Sequence, residues 1–281
     1  MLFEGRESGG DWRAVGAPSP IWTAVATPGA WWLRTEESLH RTGDRGASFA
    51  ACALPAPSNG PVVLGPARPW VAAGDRIVTR EGDAWVTLWV LPAGRGDERI
   101  ADLRLAGDEI FAATNRRRIY RGRAGQRQLE DYSQGLPPPL ADGGGSETPT
   151  MSMIDDWQLA FTGGLYLRRP GDPAWAPLLE PTAPPELAGV AASQSADWVR
   201  SPWDEGVWIG TDGMALLECG PRRPLRRRWR PPEIGLHMAK GLTAGASTVI
   251  LSLRRATGAL SGVAVRQGGA VEPIALPEIP A

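Results

Sequence analysis

Little in this chain invites covalent or metal chemistry. It has two histidines, His40 and His237, and two cysteines, Cys52 and Cys219. Neither pair has the short spacing of a zinc or redox motif, which excludes the common metal and dithiol centres. A Ser-His-Asp arrangement would have to use one of the two histidines. Tyrosine and phenylalanine are scarce, at three and four residues. No apolar run approaches the ~20 residues of a membrane span, so no membrane insertion is expected. No long stretch repeats at the helical period, which argues against a helix-rich fold. Residues Met1 to Arg6 lack a basic region followed by an apolar run. The reading is therefore no signal peptide and a cytoplasmic protein with free thiols, a disulfide between Cys52 and Cys219 being the alternative.

Lysine is almost missing. Of 30 basic residues one is Lys240, so 29 are arginine, and 31 acidic residues bring the net charge to −1. A molecule so balanced has no bulk attraction for nucleic acid or acidic membranes. The arginine skew, with abundant Ala, Gly and Pro, reads as the coding bias of a GC-rich bacterial genome.

What is present is turn-forming and aromatic. Gly numbers 35, Pro 27 and Trp 13, and 42% of residues are hydrophobic. Many short strands joined by turns around a substantial core follow from this. The clearest instance is Leu39 to Phe49, a strand, a tight turn and a second strand. Thr42, Asp44, Gly46, Ser48 and Phe49 fit the pattern Ser/Thr-x-Asp-x-Gly-x-Thr/Ser-aromatic. An Asp carboxylate folds back onto nearby backbone N–H groups, two residues on in the usual turn. Gly supplies a conformation other residues avoid, the hydroxyls brace the turn, and the aromatic packs into the sheet.

Weaker copies recur at 6–12, 80–85 and 168–175. Outermost strands are placed near Trp12, Phe49, Trp85, Leu129, Trp175, Leu225 and Val271, at intervals of 37, 36, 44, 46, 50 and 46 residues. A period of about 40 with four strands per unit marks a β-propeller. The expected fold is all-β, one domain over 1–281, with units at 1–20 (partial), 21–57, 61–93, 99–136, 150–183, 187–232 and 237–277. Seven blades are favoured, the first short of inner strands, with six as the alternative.

The turn at 42–49 resembles the Asp box of the bacterial-neuraminidase-repeat propellers, a group that includes sialidases, sortilin-type receptors and photosystem II assembly propellers. The resemblance implies that Asp44 is structural. A sialidase would also carry an Arg-Ile-Pro tripeptide, three arginines acting together and a tyrosine paired with a carboxylate. Arg-Ile-Pro is missing, and Tyr120 and Tyr166 fall at matching third-strand positions, as repeated packing residues do. No catalytic residue and no cofactor is assigned.

The candidates that remain concern binding. Arg116, Arg117 and Arg118 fall in a turn between second and third strands, on the propeller face where ligands usually bind. The blade connection carrying Arg95 and Arg99 lies there too, as do the turns at Glu36-Glu37, Asp75-Arg76 and Asp212. Such a mixed rim suits a protein surface better than a single small anion; ordinary solvated loops are the competing reading. Trp203, in a polar turn, is a candidate partner anchor, with blade packing as the alternative. His237 begins an inner strand and is a binding candidate, with simple packing as its alternative. The densest charge cluster is Arg222, Arg223, Arg226, Arg227, Arg228 and Arg230. It is placed on an outermost strand and read as an edge that blocks sheet-to-sheet pairing. An acidic protein or a nucleic acid partner is the alternative there. The function expected from all this is a non-enzymatic scaffold or recognition subunit of a bacterial assembly with a protein partner. A glycan-acting enzyme and an assembly factor like the photosystem propellers are the alternatives.

Overall fold

The structure is a computed structural model. It describes residues 2–4, 13–16, 18, 21, 23–27, 29–35, 38–54, 60–65, 68–82, 84–93, 97–123, 125–139, 149–154, 157–169, 171–178, 196–211, 215–220, 223–229, 236–244, 248–255, 260–268 and 270–274. Among these residues there is no helix; every regular element is a strand. By its contacts the chain divides into two units, Met1–Ser133 with Pro138–Gly145, and Gln134–Pro137 with Ser146–Ala281.

The first unit opens with a two-stranded sheet, β1 (Leu2–Glu4) and β2 (Arg13–Val15). Three four-stranded antiparallel sheets follow. The first is β3 (Thr23–Thr27), β4 (Ala30–Arg34), β5 (Ser38–Thr42) and β6 (Ala50–Ala53). The next is β7 (Val62–Leu64), β8 (Pro69–Ala73), β9 (Arg76–Glu81) and β10 (Ala84–Val90). The last is β11 (Ile100–Ala106), β12 (Glu109–Thr114), β13 (Ile119–Gly122) and β14 (Glu130–Asp131). Each strand pairs with the next in sequence, so every sheet is a simple meander.

The second unit repeats the plan three times. Its sheets are β15 (Thr150–Ile154), β16 (Trp157–Phe161), β17 (Leu165–Arg168), β18 (Ala176–Pro177); β19 (Ala196–Arg200), β20 (Val207–Thr211), β21 (Ala215–Gly220), β22 (Arg223–Trp229); and β23 (Leu236–Ala244), β24 (Thr248–Arg255), β25 (Leu260–Arg266), β26 (Val271–Ile274). Each four-stranded sheet coincides with one of the six full repeat units expected from the sequence, except that β23 begins at Leu236, one residue ahead of the unit 237–277. The strict turn at 42–49 joins β5 to β6, a third strand to a fourth. The weaker copy at 6–12 lies outside the described residues.

Local chemistry explains the meanders. Gly74 and Gly107 sit at φ of 64° and 62° in two-residue connections, a conformation that matches the twist of paired strands and that glycine adopts without a steric cost. The second strand of each sheet is rich in apolar residues because both of its faces are covered. In β12, Ile110, Phe111, Ala112 and Ala113 are all buried. One cluster packs Ala72, Ile77 and Trp89 of one sheet against Leu103, Ile110 and Tyr120 of the next. Another joins Leu39 to Val62, Val71 and Val78. In the second unit, Leu159 and Phe161 pack with Ile209 and Leu217, and Trp208 and Leu216 with Val249 and Val265. Each such side chain contributes about 1.5–3 kcal/mol by leaving water.

Tryptophan also stitches neighbouring sheets through its N–H. Trp85 Nε1 donates to Ala53 O at 2.9 Å, and Trp89 Nε1 to Arg123 O at 3.3 Å. A ring that fills apolar space and still reaches a carbonyl suits a junction between stacked sheets.

Candidate partner-binding site

The site is assembled at one end of the sheet β11–β14. In a meander, the entry to the first strand and the turn from second to third strand lie at the same end. Residues 97–99 therefore meet residues 115–118. The backbone of Arg99 donates to Asn115 Oδ1 at 2.9 Å and accepts from Asn115 N at 3.1 Å. Arg116 Nη2 is hydrogen-bonded to Asp97 Oδ1. Arg118 Nη1 donates to Asp131 Oδ2 at 2.8 Å. The turn β8–β9 of the preceding sheet joins the same end, with Ile100 N donating to Gly74 O at 2.9 Å. Asp75 and Arg76, ion-paired at 3.1 Å, stand exposed beside it.

Below this rim lies a buried polar anchor. Glu98 is 4% exposed and accepts from Thr114 Oγ1 at 2.6 Å. The fully buried Tyr120 hydroxyl sits 3.3 Å from each oxygen of the same carboxylate. A tyrosine beside a carboxylate is the pairing a sialidase needs, but both partners here are closed off from a substrate. They fasten the loop 97–99 to the sheet.

Electrostatics at the rim follow from these pairs. The hydrogen bond from Arg116 is the main cause that holds the Asp97 carboxyl below its ordinary value. Arg116 and Arg118 are thereby oriented by carboxylates, while Arg99 is exposed. Arg117 has φ of 63°, in the left-handed region, without being glycine. Strain of this kind costs about 1–2 kcal/mol and needs surroundings that impose it.

Of the other candidates, Arg95, Asp212, Arg222 and Arg230 lie outside the described residues. For His237 and Arg223 the structure gives strand positions only, in β23 and β22. Trp203 is half-buried in the β19–β20 turn, its ring edge-on to Trp208 with centroids 6.1 Å apart. The turn is closed by Ser201 N donating to Gly206 O at 2.8 Å. Arg226, Arg227 and Arg228 are exposed on β22, the outermost strand of its sheet. The sequence put the connection carrying Arg95 and Arg99 on one face with Arg116, but did not pair its Asp97 with Arg116, nor Asp131 with Arg118. Only the meander brings positions so far apart in sequence together.

The turn at 42–49 is closed by hydroxyl groups more than by backbone. Thr42 Oγ1 donates to Asp44 Oδ1 at 2.6 Å, and Ser48 Oγ to Asp44 Oδ2 at 2.6 Å. The backbone N–H that the carboxylate takes is that of Ser48, four residues on, at 3.0 Å. Gly46 N donates to Thr42 Oγ1 at 2.9 Å. The reach differs from the two-residue expectation because Arg45 and Gly46 both turn left-handed, at φ of 56° and 83°, which swings Ser48 under the carboxylate. Phe49 is half-buried.

Neither a protein-family model nor a curated protein sequence matches this chain. Solved structures do. YCF48 bound to D1 peptide superposes with a TM-score of 0.62 at 18% identity, covering 92% of this chain and 84% of that one. YCF48 from Cyanidioschyzon merolae gives 0.64 at 14% identity, over 92% and 86%. The extracellular domain of the BT4673 one-component system of B. thetaiotaomicron gives 0.63 at 14%, over 94% of this chain but 34% of that one. The fold is a β-propeller. At these identities the likeness carries the fold and no function. Among the described residues no helix is long and apolar enough to cross a membrane.

Proposed function

We propose that this chain is a non-enzymatic recognition module that binds a segment of another protein at the loop end of β11–β14. The observation that carries the proposal is the rim itself. Arg99, Arg116, Arg117 and Arg118 stand with Asp97 and Asp131, and two of these arginines are held in place by carboxylates. Groups of both signs, fixed before binding, favour a mixed polar surface over one anion. The buried Tyr120–Glu98 pair removes one catalytic combination from reach of a glycan. An assembly role, in which the module holds a segment of a partner during maturation, is the second reading. It is favoured by the fold neighbour whose structure contains a D1 peptide. A kinship with the Asp-box propellers, a single domain over 1–281 and a cytoplasmic location belong to the same proposal.

Selection of a random peptide library displayed on phage tests this directly. Peptides enriched on the wild-type protein are expected to bind the R99A/R117A variant at least about tenfold more weakly. No enrichment, or affinities unchanged in that variant, would remove the proposal. Hydrolysis of any member of a glycoside panel would replace it with the enzyme.

A further inference from the structure

The outer strands of these sheets differ in how they are protected. β14 and β18 are two residues long. β26 carries Pro273, which has no N–H to offer. The Ala53 carbonyl at the end of β6 takes the Trp85 indole. Val90, the last residue of β10, exchanges hydrogen bonds with the next segment, accepting from Leu129 N at 3.0 Å and donating to Arg127 O at 3.1 Å. β22 also carries a proline, Pro224, and its register against β21 shifts twice, but it differs in charge. It runs for seven residues, among the described residues has β21 as its one neighbour in the sheet, and carries charged side chains of one sign.

Six of the nine residues from 222 to 230 are arginine, in a chain of net charge −1. Against them β21 sets a single carboxylate, Glu218, which is the register partner of Arg226 and lies 3.4 Å from Arg228 Nε. Arg226 and Arg228 are exposed, and both lie on the side of Glu218, which faces Arg226 in register and Arg228 Nε at 3.4 Å across the register shift that separates Arg227 from Trp229. An edge charged in this way repels a second copy of itself. It does not repel a strand of opposite charge, and it rewards one at each cross-strand position.

We propose that β22 is a docking edge for an extended acidic segment of a partner protein, which adds to the sheet β19–β22 as a further strand beyond Leu225–Trp229. Pro224 lacks an N–H and sets the near limit of the pairing. Main-chain hydrogen bonds hold the segment, and acidic side chains at alternate positions face Arg226 and Arg228. A strand partner is chosen over nucleic acid because the feature is a backbone edge, which a polynucleotide does not use. This edge is on a different sheet from residues 115–118, and the proposal does not rest on the function assigned to them.

The probe is a short fluorescent peptide of alternating Glu and Val, titrated with the full chain and read by anisotropy. Saturable binding is expected, weakening with added salt and about tenfold in R226Q/R228Q. R226E/R228E is expected to abolish it, with thermal melting showing that both variants fold. The same peptide N-methylated at alternate residues is expected not to bind. R116A/R118A is expected to leave binding unchanged. Equal affinity in the Gln variant, equal binding of the N-methylated peptide, dependence on Arg116 and Arg118, or tighter binding of oligothymidylate of equal charge would each overturn the proposal.

Discussion

Asp44 directs its charge into its own turn. The Ser48 hydroxyl, the Thr42 hydroxyl and the Ser48 N–H, in that order, hold its carboxyl far below the ordinary aspartate value. A carboxyl lowered in the folded state contributes stability above its unfolded pKa, and loses that contribution as pH falls through the folded value. Asp44→Asn is therefore expected to lower the melting temperature by a few degrees at neutral pH. The gap to wild type should close on acidification below about pH 4, read by circular dichroism melting across pH. A gap that stays constant would mean that the turn does not depend on the charge. Arg117 makes the opposite case. Its left-handed backbone is a strained place for any side chain, and glycine would sit there freely. Arg117→Gly is expected to raise unfolding stability by about 0.5–1 kcal/mol in chemical denaturation while weakening binding of the selected peptides. A residue kept against stability is kept for its side chain. Loss of stability, or full binding, in this variant would make Arg117 an ordinary turn residue.

At the scale of strands and sheets, packing leaves little room. A Cβ added to Gly122, at the end of β13, would lie 2.8 Å from Ile110 Cγ2 and Leu129 Cδ2 and 2.9 Å from Trp89 Nε1. Gly122→Ala is expected to cost about 1–3 kcal/mol in urea unfolding, because it forces apart the two sheets that Trp89 joins. A neutral result would show that the junction yields. This is also the scale at which the sequence was most readable. Outer strands expected near Trp85, Leu129 and Trp175 begin at Ala84, Glu130 and Ala176. Hairpins announce themselves locally, by apolar runs interrupted with Gly, and need no knowledge of the rest of the chain. The contacts between hairpins do not. The pairing of Arg116 with Asp97, the bond from Arg118 to Asp131 and the burial of Glu98 under Thr114 and Tyr120 all join separate loops. The sequence offered arginines and carboxylates on one face, without the means to say which would be committed to each other. The arginine cluster, by contrast, was placed on an outermost strand from the sequence, and β22 is the end strand of its sheet.

Over the whole molecule, a net charge of −1 conceals two different surfaces. The rim at β11–β14 balances its signs within a few residues, whereas β22 concentrates one sign. Salt therefore separates them, since screening weakens attraction between opposed clusters far more than docking on a mixed rim. The account stands on the claim that the loop end of β11–β14 receives a protein segment. Hydrogen–deuterium exchange of the full chain, with and without a saturating selected peptide, tests that claim most directly. Slowed exchange is predicted at residues 97–100 and 114–119. Exchange that is unchanged there, with protection confined to other segments, would contradict it.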